Sequence, residues 1–260
     1  MASFTGSSIK DVYKDILHTS NSNSGIGSSI KQITCGDGDT TALYLSDRNA
    51  KVQPSTDSTT NTVIYDSDGN ALVTVDSTND LVKAGIGQHT VNTQYAHFGW
   101  SATDATMVAN THYALLFAGQ AYQGYLTAMG TSTNPDTSLT ITATAGNVTQ
   151  ALWYVMDNIT IDRVIWWSGA DAATGDTTRA HLMGYDIVTT SGATSGDLSS
   201  GVVLADGGDI TNAGYEQAYY QQLTIQSANV DAGKAIFFTF RSDSVNSDYT
   251  INATIKYHLR

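Results

Sequence analysis

The chain has 260 residues, of which 41% are hydrophobic, 9% aromatic and 14% charged, and its 24 acidic against 12 basic side chains leave a net charge of −12. That apolar content can fill the core of one large domain or two unequal ones, which excludes a chain disordered throughout. The acid excess repels phosphate backbones and anionic lipid surfaces, so neither nucleic acid nor a membrane is expected as a partner. A single cysteine, Cys35, excludes a disulfide scaffold.

Every acidic residue is an aspartate except Glu216. Aspartate favours turns and helix caps whereas glutamate favours helix interiors, so long helices are not expected. Short apolar stretches separated by Gly, Ser, Thr and Asn read as an all-β chain rich in tight turns. No apolar run reaches the roughly 20 residues that span a bilayer. The first residues, Met1-Ala-Ser-Phe-Thr-Gly-Ser-Ser, lack a basic region followed by an apolar stretch. No signal peptide is therefore expected, and the sequons at Asn147, Asn158 and Asn252 are expected to stay unmodified.

In chain order, the first predicted element is a helix. Ile9, Val12, Tyr13, Ile16 and Leu17 recur at helical spacing, and Ser8 with Asp11 forms a capping box. At roughly ten residues this helix is marginal in water, so its stripe must dock on the same chain's first strands, on copies of itself or on a partner. A loop over 19–29 leads to a hairpin of 30–35 with 41–45 around Gly36-Asp37-Gly38-Asp39, which places Leu43 and Leu45 on one face. A second hairpin joins 62–65 to 71–75. Asp66, Asp68 and Asn70 in its turn imitate half a calcium loop, but Ser77 stands where the bidentate glutamate belongs, so a plain turn is expected. The turn-rich stretch 84–94 divides an N-terminal module, 1–90, from a C-terminal β domain, 95–260.

Strands are predicted over 113–117, 138–143, 151–156, 159–167, 181–188, 222–226, 235–240 and 249–257, with polar loops over 168–178, 189–200 and 206–214. In the last strand Tyr249, Ile251, Ala253, Ile255 and Tyr257 alternate with polar residues, the pattern of a half-buried strand. Residues 164–167 and 236–238 are apolar on both faces, which predicts cover from a second sheet and from a neighbouring subunit. About eight strands suit a jelly-roll-like β-sandwich.

No constellation for chemistry emerges. His18, His89, His97, His112, His181 and His258 are scattered, and neither H-E-x-x-H, G-x-S-x-G nor a phosphate-cradling glycine loop is present. Aspartate pairs such as Asp171 with Asp176 or Asp243 with Asp248 arise by chance among so many turns. The expectation is a non-enzyme with no catalytic, cofactor-binding or metal-ligating residues. Tyr215, Glu216, Tyr219 and Tyr220, with Gln217, Gln221 and Gln222, combine aromatic faces with polar tips, which suits either a glycan or a protein interface.

Two blocks carry a family resemblance. Residues 8–17 (Ser-Ile-Lys-Asp-Val-Tyr-Lys-Asp-Ile-Leu), followed by Asn-Ser-Asn-Ser-Gly-Ile at 21–26 and Gly-Asp-Gly-Asp-Thr-Thr-Ala-Leu-Tyr-Leu-Ser at 36–46, resemble the N-terminal module of fibre and head-decoration proteins of tailed bacteriophages, marine ones in particular. Ile161 and Trp166-Trp167-Ser168-Gly169-Ala170-Asp171, with Phe237-Phe238-Thr239-Phe240-Arg241-Ser242-Asp243-Ser244, resemble the C-terminal β domain of such proteins. The resemblance implies a homotrimeric virion surface protein, made in the host cytoplasm, whose N-terminal module holds capsid or tail proteins while the β domain faces outward. It makes Ile9, Val12, Tyr13, Ile16 and Leu17 candidates for the anchoring or oligomer seam. The implied role is capsid decoration or a short head fibre, with a receptor-binding tail-fibre component that recognises host glycan as the alternative.

Overall fold

The computed structural model describes residues 16–19, 25–102, 107–119, 127–141, 145–171, 174–190, 192, 195–244 and 248–260. Ile9, Val12 and Tyr13 of the predicted stripe lie outside the described residues. The chain divides into two compact units, Met1–Val91 and Asn92–Arg260.

The first unit carries two four-stranded antiparallel sheets. One is the meander β1 (His18–Thr19), β2 (Lys31–Thr34), β3 (Thr40–Leu45) and β4 (Ala50–Val52). The other is the meander β5 (Thr62–Tyr65), β6 (Ala71–Asp76), β7 (Leu81–Ala84) and β8 (His89–Thr90). Both predicted hairpins are present, with pairings such as Gln32 opposite Tyr44 and Val63 opposite Thr74. The turn after β5 is closed by Asp66, whose carboxylate accepts hydrogen bonds from the Asp68 and Asn70 backbone N–H groups at 2.9 and 2.7 Å and from the Asn70 side chain at 2.9 Å. The Asn70 bonds hold the Asp66 carboxyl below the usual range.

Two expectations fail here. Ile16 and Leu17 are not helical, and Thr19, expected at the start of a loop, pairs with Ile33 in β1. Their helical spacing yields to a backbone ladder that begins at His18, a tertiary override of a short periodic signal. The division between the two units, after Val91, falls within the turn-rich stretch 84–94, which also holds β8 and the start of the next strand.

Two thin meanders bury little. Among the described residues of this unit Ile33 is the one buried hydrophobic side chain, whereas Leu17, Ile26, Ile64, Tyr65 and Ile86 are 56–73% exposed.

The second unit is a jelly-roll-like sandwich. Its strands are β9 (Thr93–Ala102), β10 (Tyr113–Ala114), β11 (Leu116–Phe117), β12 (Thr127–Ala128), β13 (Trp153–Tyr154), β14 (Ile159–Asp171), β15 (Thr177–Ile187), β16 (Leu198–Thr211), β17 (Glu216–Ile225), β18 (Asn229–Val230), β19 (Lys234–Ser242) and β20 (Asp248–Leu259), with one described helix, α1 (Ala145–Ala151). The hydrogen-bonded order β11-β9-β20-β14-β17-β16-β15-β19-β10-β12 splits into two facing halves, β9-β20-β14-β17 and β16-β15-β19-β10. The halves join at one edge through Ala205 opposite Ile225 and Asp206 opposite Thr224. At the other edge the chain switches halves within a few residues. Tyr113 and Ala114 pair with β19 while Leu116 and Phe117 pair with β9, so both edges are bridged and few backbone groups stay unpaired.

Alternation then builds the core. Phe98 and Trp100 of β9, Ile251, Ala253 and Ile255 of β20, and Val164 and Trp166 of β14 point inward, meeting Leu182 of β15 and Phe238 and Phe240 of β19. A second apolar layer lies on the outer side of β15 and β19, where Met129, Val148, Ala151 and Leu198 cover Met183, Tyr185 and Phe237. The cover predicted for residues 236–238 is therefore the chain's own helix and the segment before it, rather than a neighbouring subunit. Helix α1 fills the stretch between the predicted strands 138–143 and 151–156, meeting the second only at Ala151, and buries Val148 and Ala151.

Candidate functional site

Among the described residues of the second unit, the half-sheet β9-β20-β14-β17 is packed on its inner side. On its outer side a period of two sets a grid of side chains whose rows the strand register fixes. One row runs Gly99, Asn252, Trp167, Tyr220; the next runs His97, Thr254, Ile165, Gln222; beyond it Tyr95 lies opposite Lys256, which lies opposite Arg163. Trp167 is 54% exposed, with Tyr220 and Tyr95 comparably open. An exposed tryptophan on this face is the unusual feature, because the same sequence buries Trp100, Trp153 and Trp166.

The aromatic and cationic groups are tied together. The rings of Trp167 and Tyr220 lie 4.9 Å apart at 57°. Arg163 donates from Nε to Gln222 Oε1 at 2.7 Å and from Nη2 to the Tyr220 hydroxyl at 3.3 Å. Those two bonds use two of its five N–H donors and leave three for a ligand. His97 Nδ1 lies 3.1 Å from the Thr254 hydroxyl. The arrangement offers a flat aromatic surface bordered by amide, hydroxyl and guanidinium groups, the combination that stacks on a sugar ring and hydrogen-bonds its hydroxyls.

The four residues singled out for glycan contact are not one cluster. Tyr220 belongs to the open face. Tyr219, its neighbour in the strand, pairs with buried Ser168 on the opposite side, and its hydroxyl accepts from the Ala213 N–H at 2.6 Å. Glu216 stands at the strand end opposite Asp171, and Tyr215 lies exposed in the preceding turn. Period two alone separates Tyr219 from Tyr220. Trp167, Arg163 and Lys256, which complete the face, come from strands distant in sequence; the two-sided apolar run ending at Trp167 and the alternation of the last strand mark Trp167 and Lys256, but nothing in the sequence brings them together.

A second polar group is enclosed on the outer side of β15 and β19. Arg179 and Asp206 pair directly, with Arg179 Nη1 3.5 Å and Arg241 Nη2 4.0 Å from Asp209. His181 Nε2 lies 3.1 Å from Asn134 Oδ1 and 3.6 Å from Asp206, while His112 Nε2 lies 3.1 Å from the Ser132 carbonyl. Burial pushes His181 down to about 4, against the pull of Asp206, and lowers His112 as well, so both rings are neutral near neutral pH. Burial alone would raise Asp206, but the Arg179 hydrogen bond and the Gly208 N–H outweigh it and hold the carboxyl below its usual range. Every charge here has an opposite partner, and the loop over 132–134 caps the two fully buried histidines while Asp209 stays half exposed. Among the described residues no group of three or more His, Cys, Asp or Glu is placed to hold a metal ion, and no helix is long and apolar enough to cross a membrane.

No protein-family model matches the chain, and no curated protein matches it either.

Proposed function

We propose that the protein is a non-enzymatic virion surface protein of a tailed bacteriophage, a capsid decoration or short head fibre, in which the first unit anchors and the jelly roll is displayed. The observation that carries this reading is the apolar surface of the first unit. A pair of thin meanders with one buried hydrophobic side chain among its described residues, and six large ones more than half exposed, has too little core to stand alone. Such a unit gains its stability by covering that surface with other polypeptides, and Ile16 and Leu17, half-buried and exposed, lie on it. A homotrimer with capsid contacts would provide the cover.

The test is location and assembly. Gold-labelled antibody against the jelly roll should decorate the heads of purified particles, the full chain should sediment as three copies, and Ile16→Asp should deplete the protein from particles while leaving the β domain folded. A stable monomer in solution, together with normal incorporation of Ile16→Asp, would overturn the reading.

The Trp167 and Tyr220 face supports a second reading, a receptor-binding tail-fibre component whose β domain recognises host surface glycan. Label at the tail tip and glycan binding by the displayed face would favour it.

A further inference from the structure

The jelly-roll unit contains six Lys and Arg residues, Arg163, Arg179, Lys234, Arg241, Lys256 and Arg260. Arg179, Lys234, Arg241 and Arg260 each lie within 4.0 Å of an aspartate carboxylate. Arg163 and Lys256 make no ion pair among the described residues, although the chain carries twice as many acids as bases. Those two are register partners on β14 and β20, side by side on the open face. Asp162, the carboxylate next in sequence, is taken by His258 at 2.8 Å, after a register shift between Ile161 and Arg163 that separates it from the row.

Two cations left unpaired by a molecule with acid to spare, on the same face as an exposed tryptophan, mark a local charge that an incoming anion would neutralise. The open face keeps three Arg163 donors, the Lys256 ammonium, the exposed Asn252 side chain and the Trp167 indole N–H free of partners among the described residues. Stacking on Trp167 and Tyr220 demands a flat ring with C–H groups. Arg163 and Lys256 stand two rows further along β14, about 13 Å between backbones, with Arg163 Nη2 brought back to the Tyr220 hydroxyl at 3.3 Å, so the two cations demand a carboxylate on the stacked sugar or on the next unit of the chain. We infer that this face binds an acidic polysaccharide, one whose sugar units bear carboxylates, with Trp167 and Tyr220 as the stacking platform and Arg163 and Lys256 as the charge contacts. The inference rests on the glycan-recognition reading and adds the class of glycan to it.

The test is a titration of the full-chain protein, followed by tryptophan fluorescence and calorimetry, against oligogalacturonate, oligomannuronate and hyaluronan fragments, with maltohexaose, cellohexaose and xylohexaose as neutral controls. Binding to at least one acidic oligosaccharide is expected, weakening with added salt. Lys256→Gln and Arg163→Gln should each lower affinity roughly tenfold, about 1.4 kcal/mol, and Trp167→Ala should abolish binding. Binding of neutral sugars alone, with the Gln variants unaffected, would refute the acidic class and leave glycan recognition standing. Absence of binding to every probe would remove both readings, and acidic binding that survives Trp167→Ala would place the site elsewhere. Burial of Trp167 between copies, seen as loss of quenching by acrylamide in the assembled protein, would make the face an interface and overturn the inference.

Discussion

His112 and His181 meet edge to face with ring centroids 5.0 Å apart, and no solvent reaches either side chain. Around them stand Asp206, Arg179, Arg241 and, one row further, Asp209, with Thr239 between the strands and the Ser132 and Thr133 carbonyls and Asn134 above. Burial disfavours a charged imidazole at both positions, and two guanidiniums strengthen the effect. In the unfolded chain each ring titrates near 6.5. The unfolded state therefore takes up protons first as pH falls, and folding stability declines between that value and the folded value of about 4 for His181. A falling Tm from about pH 7.5 to about pH 5, steeper than in the His112→Gln/His181→Gln double variant, is expected in calorimetry. Equal slopes would show that the pair does not control this window.

The carboxylate of Asp206 accepts from two Arg179 nitrogens and from the Gly208 N–H at 2.9 Å, and 14–17% side-chain exposure leaves the pair little water. Asp206→Asn leaves the guanidinium with Asp209, whose own side chain is half exposed. Urea unfolding should show a loss of about 1–3 kcal/mol, reduced from the cost of breaking a fully buried pair because some solvent screens it. Asp209→Asn should cost under about 1 kcal/mol. Equal losses for the two variants would contradict the assignment of Asp206 as the central anion.

Much of the jelly roll is legible in period-two alternation, and the parts that are not have identifiable causes. Strand β20 alternates cleanly because one of its faces is buried and the other open, so the predicted span 249–257 falls within Asp248–Leu259. Strand β16 reads as two loops because Gly201, Gly207 and Gly208 interrupt its pattern and three register shifts break its pairing with β15. Gly208 adopts φ +70°, a conformation suited to a bulge, which explains a glycine in mid-strand. Strand β9 gives no clear period because Tyr95 and His97 alternate with Ala96 and Phe98, so aromatic side chains stand on both faces. For the candidate site, Tyr220 is within reach of sequence reasoning, whereas the pairing of Arg163 with Lys256 depends on a register between strands far apart in the chain.

Gly201 marks a close approach that no side chain can share. A Cβ there would lie 2.5 Å from Cε1 of Tyr185 and 2.8 Å from the Cα of Thr137, and Tyr185 is fixed by its hydroxyl bond to the Asp136 carbonyl at 2.8 Å. Neither neighbour can move cheaply, because one is backbone and the other is a buried ring. Gly201→Ala should cost about 1–3 kcal/mol by overpacking. Gly169→Ala, where the nearest atoms are 3.9 Å away, should change stability by less than about 0.5 kcal/mol. Chemical denaturation of both variants checks the contrast, and a neutral Gly201→Ala would show that the segment over 136–137 is not held against β16.

Phe237 and Trp167 test the difference between the two outer faces. Phe237 is fully buried under the chain's own Met129 and Leu198 and packs edge to face on Tyr185 at 5.8 Å, whereas Trp167 is more than half exposed. Removing the phenylalanine ring opens a cavity beneath α1 that its short backbone cannot close, so Phe237→Ala should destabilise by about 3–5 kcal/mol. Trp167→Ala removes the packing on Tyr220 and part of a solvated surface, and should cost no more than about 1 kcal/mol. Urea unfolding at a protein concentration low enough to dissociate any assembly separates the intramolecular terms. A large, concentration-dependent loss of stability for Trp167→Ala would mean that the open face is covered by another chain, because an interface that opens on dissociation ties stability to protein concentration whereas packing within one chain does not.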